Sequence, residues 1–372
     1  MILNNMFFYS REHTMKTYII AEVGVNHNGS LEMAKELIKV AKDSGANAVK
    51  FQTFKAESLV TKNAEQAEYQ IKNLKGSSSQ FEMLKKLELS YEEFEHLQAF
   101  CKMQNIEFLS TPFDVDSADF LMDRLGIDKV KIPSGELTNA PFLHYIATKG
   151  NKMIVSTGMA DLDEIHEALS YIAYGFANPT EPVNEQHVKT FYHTDHAKAL
   201  LHEHVVLLHC TTQYPAPTES INLKAIKTLE QEFQVPVGFS DHSAGINLAM
   251  VAVGMGATVV EKHFTLDRSL EGPDHKASLE PDELKAFVSG IREVETALGD
   301  GIKRPSENEF QNRIPARKSI VAKESIRAGE EFTMSNITVK RPGSGIEPKK
   351  YWALLGKKAS RDFKEDELIE YS

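Results

Sequence analysis

Eight short runs, apolar and rich in β-branched residues, punctuate the first 265 residues of this chain, and each closes on polar or charged residues. They are YIIAEVG (18–24), NAVKFQT (47–53), EFLSTPF (107–113), KVKIPSG (129–135), MIVSTG (153–158), VVLLHCTT (205–212), PVGFSDH (236–242) and TVVEKHFT (258–265). A strand covered on both faces reads as a continuous apolar run rather than as strict alternation. Eight such strands with helices between them predict a closed (β/α)8 barrel. In that fold the reactive groups gather at the C-terminal strand ends.

Helical periodicity fills most of the intervals. Residues 31–45 carry a one-face stripe of Leu31, Ala34, Leu37, Ile38 and Ala41, closed by Gly45. Ser90 reads as the N-cap of a helix over Tyr91–Met103, and Pro281 suits the first turn of one reaching Leu298. Asp161–Ala173 and Asn222–Glu232 form similar units. Two segments break the rhythm: residues 55–89, read as a loop plus helix over the barrel mouth, and residues 174–204, read as an insertion. Residues 1–16 are expected to be an extension, with the barrel over 17–300. Residues 301–313 read as a polar linker, and 314–372 as a small mixed domain with short β-prone pieces. A domain of that size is marginal alone and is expected to dock on something.

Composition narrows the function. The net charge is −11, from 42 basic and 53 acidic residues, which argues against a nucleic-acid binder and its basic surface. An anionic substrate remains compatible, because a few lysines in a cleft bind one locally. Two cysteines, Cys101 and Cys210, argue against a disulfide framework and fit a reducing cytoplasm. No apolar run is long enough to span a membrane, and the N-terminus does not read as a signal peptide.

The strand ends carry the chemistry. Glu22, Asn26 and His27 follow strand one; Lys50 and Gln52 lie on strand two; Ser110 and Thr111 end strand three. Lys131, Ser134 and Glu136 belong to strand four, and Ser156 and Thr157 to strand five. His209, Thr211, Thr212 and Tyr214 follow from strand six, Asp241 and His242 from strand seven, and Glu261 and His263 from strand eight. A lone lysine is normally solvated or salt-bridged. Lys50 and Lys131 instead sit inside apolar strands, where burial is costly without an anionic partner. With Ser134 and Ser156 they suggest a phosphate cradle. His242 and His263 end neighbouring strands, so their rings either converge on one divalent ion or form a hydrogen-bonded structural pair. The histidines at 187, 193, 196, 202 and 204 read as solvated surface, and Cys210 as packing. Gly24 and Gly29 make no dinucleotide fingerprint.

At these residues the chain resembles the sialic acid synthase family. The matching stretches include AEVGVNHNGS (21–30), AVKFQTFKAESLV (48–60), KIPSGE (131–136), LLHCTTQYPAP (208–217), GFSDHS (238–243), VVEKHFTLDR (259–268), GPDH (272–275) and KRPGSGI (340–346). The resemblance implies a (β/α)8 barrel followed by an antifreeze-like SAF domain, swapped onto the partner barrel of a homodimer. It implies condensation of phosphoenolpyruvate with an N-acetylated hexosamine such as N-acetylmannosamine and water, giving a nine-carbon 2-keto acid and phosphate. On the same ground His242 and His263 are ligands of a divalent metal, typically manganese, with magnesium or cobalt as alternatives. Glu22 serves the cationic intermediate or its protons. Lys50, Thr111, Lys131, Ser134 and Ser156 hold phosphoenolpyruvate, Glu136 belongs to the substrate site, and Gln52, Tyr214 and Asp274 contact the sugar. Arg341 reaches in from the partner subunit. Thr212 stands where some sialic acid synthases carry Asn, and shorter members lack the insertion. The acceptor is therefore of sialic, legionaminic or pseudaminic type. Two rivals stay open: a pyruvate-dependent barrel aldolase, which needs no phosphate cradle, and a non-catalytic sugar- or ice-binding protein.

Overall fold

The structure, a computed structural model, describes residues 16–66, 71 and 79–370. The extension expected over residues 1–16 lies outside the described residues, apart from Lys16. All eight expected strands form: β1 (Tyr18–Gly24), β2 (Ala48–Thr53), β3 (Glu107–Pro112), β4 (Lys129–Ile132), β5 (Lys152–Ser156), β6 (Val205–Cys210), β7 (Val237–Asp241) and β8 (Val259–His263). They pair in parallel in the order β3-β2-β1-β8-β7-β6-β5-β4, and β3 and β4 pack together to complete the ring. The fold is a (β/α)8 barrel.

The two strand faces have different tasks. One face meets the surrounding helices in a large core that includes Ile19, Ala21, Val49, Phe51, Val130, Val155, Leu207, Phe239 and Val260. The other faces the barrel interior, where Ile20, Ala48, Leu109, Ile154, Val206, Leu208 and Val259 form a separate apolar layer. Gly238 belongs to this tight interior, since a Cβ there would meet the Val259 carbonyl oxygen at 2.4 Å and Leu208 at 2.6 Å. Period-two alternation continues each interior row toward the C-terminal end, where it turns polar. Ile20 leads to Glu22, Ala48 to Lys50 and Gln52, Leu109 to Thr111, Ile154 to Ser156, and Val259 to Glu261 and His263.

Side-chain caps set the helix starts. Ser30 caps Leu31–Asp43, and Ser90 forms a capping box with Glu93 at Tyr91–Gln104. Pro281 opens Pro281–Leu298. The helix expected to end at Ala173 runs on from Leu162 to Ala177, because its buried stripe continues through Tyr174 and Gly175. The remainder of the expected insertion folds into two helices, Glu185–Tyr192 and Asp195–His204, packed against that longer helix.

The chain divides into two compact units between Asp300 and Gly301. Within the stretch read as a linker, Ser306 and Glu309 form a capping box that starts a short helix, Glu307–Gln311. The second unit pairs β9 (Ser319–Ala322) with β10 (Ile337–Lys340) antiparallel and has its own core of Ile320, Ile326, Phe332, Ile337, Leu354, Phe363 and Ile369. No helix among the described residues is long and apolar enough to cross a membrane.

Asp241 and Lys262 show what an outward face does with charge. Lys262 Nζ lies 3.0 Å from Asp241 Oδ2 and donates to the Ser243 carbonyl, with both side chains almost wholly buried. Lys262→Met strands the Asp241 carboxylate in the core. We expect a loss of roughly 3–5 kcal/mol in chemical denaturation; a midpoint equal to wild type would show that the pair is not formed.

Candidate active site

One cavity of about 280 Å³ opens at the C-terminal strand ends. It gathers Glu22, Lys50, Gln52, Thr111, Lys131, Ser134, Ser156, Thr212, Tyr214, His242, His263 and Asp274, drawn from every strand or the loop that follows it. One predicted residue of the barrel is not part of this lining. Glu136 sits in a short 3-10 turn, where its carboxylate accepts from Asn139 Nδ2 at 2.6 Å rather than facing the cavity. Arg341 lies in the second unit, exposed after β10.

Strand register builds the floor. Glu22 is paired with Lys50 on one side and with His263 on the other. Lys50 Nζ lies 2.6 Å from Glu22 Oε2 and 3.6 Å from Glu261 Oε2, and donates to Thr111 Oγ1 at 3.1 Å. Lys131 Nζ lies 3.4 Å from Glu261 Oε1, which also accepts from Ser240 Oγ at 2.9 Å. Burial alone would neutralise each of these groups. It opposes the charge on Lys50, yet Glu22 and Glu261 outweigh it and raise the lysine pKa. It likewise opposes the Glu261 charge, and Lys131 with Lys50 overcomes it, holding that carboxyl below the usual range. Glu22 goes the other way: burial raises it, in spite of Lys50. Lys131 is the cation left least compensated, with burial lowering its pKa against the pull of Glu261. Close by, Ser134 Oγ accepts from the Gly158 amide at 3.0 Å, and Ser156 Oγ is buried without a hydrogen-bond partner.

The two histidine rings lie close together. Their ring centroids are 5.7 Å apart, and the Tyr214 ring packs at 4.3 Å from His242 and 5.8 Å from His263. His242 Nδ1 bonds the Thr211 carbonyl at 2.8 Å. A carbonyl only accepts, so Nδ1 carries the proton and Nε2 keeps its lone pair. Burial drives His242 down to about 4 and His263 well below the usual imidazole range, so both are neutral at pH 7. His263 Nδ1 is buried without a hydrogen-bond partner. Among the described residues, no cluster of three or more His, Cys, Asp or Glu side chains forms a metal cage. Two neutral imidazoles with an orphaned ring nitrogen fit a divalent ion whose other positions go to substrate and water.

Several strand-end residues take structural posts. Asp241 pairs with Lys262 on the outer face, and His209 bonds the Ile221 carbonyl at 2.6 Å. Asn26 donates to the Phe264 carbonyl and to Ser278. Cys210 is buried against Ser134, and burial raises its thiol pKa, in keeping with a packing role. In the 174–204 segment, the histidines at 187, 193, 196 and 202 are exposed and His204 is half-buried. Sequence reasoning gave no role to Glu261 or Ser240. The signal for Glu261 was its place two residues before His263, on the same strand face. It also missed an apolar wall from Leu59, Val60, Met83, Leu84 and Leu87.

Gly158 ties this geometry to one backbone position. A Cβ there would fall 2.4 Å from Thr212 Oγ1, 2.8 Å from Ser134 Oγ and 2.9 Å from Cys210 Sγ. Gly158→Ala therefore displaces two cavity-lining hydroxyls. Turnover is expected to fall roughly 100-fold with far-UV circular dichroism unchanged; wild-type rates would show that these hydroxyls need no fixed position.

Both units of the chain resemble known proteins. Residues 37–303 match the NeuB family, and residues 317–372 match the SAF domain. The N,N'-diacetyllegionaminic acid synthase of Campylobacter jejuni is 48% identical over 354 residues, covering 95% of this chain and 99% of that protein. The enzyme of the same name from Legionella pneumophila is also 48% identical, covering 94% and 92%. A crystal structure of N-acetylneuraminic acid synthetase from Leptospira borgpetersenii, in complex with citrate, is 31% identical and matches with a TM-score of 0.64 over 80% of this chain and 90% of that one. A match running through both units, onto a barrel whose polar strand ends meet in one cavity, places the chain in the NeuB family, with a SAF domain at its C-terminal end.

Proposed function

We propose that this protein is a nonulosonate synthase, condensing phosphoenolpyruvate with an N-acetylated hexosamine and water and releasing phosphate. The observation that carries the reading is the buried cation pair, Lys50 and Lys131, of which Lys131 lacks full compensation. An anion bound there completes its charge balance, and Ser134, Ser156 and Thr111 add hydroxyl groups along the same wall. A pyruvate-dependent aldolase has no use for such a cradle. The acceptor assigned here is 2,4-diacetamido-2,4,6-trideoxymannose, giving N,N'-diacetyllegionaminic acid. Two synthases of that product stand at 48% identity, against 31% for the N-acetylneuraminic acid enzyme.

In this reading a divalent ion held by His242 and His263, manganese by family resemblance, supplies Lewis-acid polarisation of the acceptor aldehyde. Lys50, Lys131 and the hydroxyls fix the phosphate of phosphoenolpyruvate, so that its C3 faces the aldehyde carbon. A bond forms between those carbons, and a water oxygen bonds to C2. One water proton reaches the former aldehyde oxygen by way of Glu22, a carboxyl that burial prepares to carry it. The other leaves with phosphate as the C2–O bond breaks and the ketone forms. Homodimerisation, with Arg341 serving the neighbouring protomer's site, belongs to the same reading and rests on the family resemblance. A cytoplasmic location is supported by the two free cysteines, which suit a reducing compartment.

An acceptor panel with phosphoenolpyruvate and manganese, read as phosphate release, tests the reading. Release is expected with the diacetamido-trideoxy sugar, faster than with N-acetylmannosamine. Product formed from pyruvate without phosphate would overturn it. Lys131→Ala is expected to raise the KM for phosphoenolpyruvate by roughly 10-fold or more, and an unaltered KM counts against the cradle. His242→Ala is expected to abolish metal-stimulated turnover. Wild-type activity that survives exhaustive chelation would remove the metal from the account.

A further inference from the structure

The cavity walls divide by chemistry. Strand ends contribute charged groups, hydroxyls and imidazoles, whereas the segment after β2 contributes Leu59, Val60, Met83, Leu84 and Leu87. These are not stray core residues. Met83 and Leu87 are buried with Val25 and Phe54, and Leu59, Leu84 and Phe113 pack against them in a cluster separate from the barrel cores. The cluster is anchored. Ser79 and Glu82 form a capping box at the start of the helix Gln80–Leu87. Just beyond it, Glu88 accepts from Lys55 Nζ at 3.0 Å, the Ala56 amide at 3.2 Å and Lys85 Nζ at 3.2 Å. That one carboxylate staples the helix to the segment following β2, so the apolar wall is fixed in place before substrate arrives.

We infer that this wall, with Leu59 and Leu84 at its half-buried edge, selects the acceptor by its C6 substituent, taking a methyl and disfavouring a hydroxymethyl. The inference rests on the condensation reading. In that reading the aldehyde carbon meets the polar floor near Glu22, His242 and His263. The opposite end of the acceptor then extends toward the rest of the lining. Hydroxyls midway along it find polar partners in Gln52, Tyr214 and Asp274, whose Oδ1 is buried without a hydrogen-bond partner. A terminal hydroxyl laid on Leu59 and Leu84 gives up water and finds no acceptor, while a methyl buries apolar surface at no polar loss. A pocket of this kind discriminates by about 10–100-fold.

The test compares 2,4-diacetamido-2,4,6-trideoxymannose with its 6-hydroxy counterpart, using the full-length protein with phosphoenolpyruvate and manganese and reading phosphate release. Wild type is expected to favour the deoxy sugar by about 10–100-fold in kcat/KM. Leu84→Gln, and independently Leu59→Gln, are expected to shrink that ratio about fivefold or more, through a higher KM for the deoxy sugar. The KM for phosphoenolpyruvate should stay at its wild-type value. Two substitutions are used so that one folded variant, checked by its melting temperature, suffices. A wild type indifferent to C6 overturns the inference, as does a folded variant that keeps the wild-type ratio. Phosphate release from either sugar, whatever the ratio, upholds the condensation reading on its own; release from neither, nor from any other acceptor, overturns both.

Discussion

Four ionisable side chains share the mouth of this barrel: Glu22, Lys50, Lys131 and Glu261, each no more than 5% exposed. Charges so far from water are tolerated only when opposite partners are fixed beside them. That requirement explains much of the surrounding structure. The registers of β1 with β2 and with β8 put Glu22 next to both Lys50 and His263, and β7 brings Ser240 to Glu261. A one-residue slip of any of these strands would send its charges to the helix-facing side. The apolar interior layer beneath leaves the charges nowhere to go but the mouth.

Charge on the other strand face does different work. Asp241 and Lys262 alternate with Ser240, Glu261 and His263, so they leave the cavity and pair with each other among the helices. Their hydrogen bonds are closed by Ser243, and the pair has no route to substrate. In the mouth the balance is left incomplete instead. Lys131, the orphaned Ser156 hydroxyl and the unpartnered His263 nitrogen are groups that a bound anion and a metal would satisfy. Incomplete pairing of this kind separates a site built for ligands from a structural ion pair.

How much of this the sequence discloses follows from the range of the interactions involved. The eight strands were legible because doubly covered strands need continuous apolar runs. Lys50 and Lys131 stood out because they interrupt such runs. Glu261 was visible but had no assigned role: its partners come from β2, β4 and β7, and no local pattern encodes that convergence. Glu136 is absent from the cavity lining because it sits in a turn after β4, where its carboxylate accepts from Asn139, a detail no strand pattern encodes. The apolar wall was hidden in a stretch whose overall composition is polar. Only the Ser79–Glu82 cap marks the helix that carries it.

The account depends on phosphate being held by the buried lysines while water attacks carbon. Phosphoenolpyruvate labelled with ¹⁸O in its C–O–P bridge tests this most directly, with the released phosphate and the keto acid analysed by mass spectrometry after a single turnover. The account predicts that the label leaves with phosphate, the bond broken being C2–O. Label retained in the keto acid would mean cleavage at phosphorus and would contradict it.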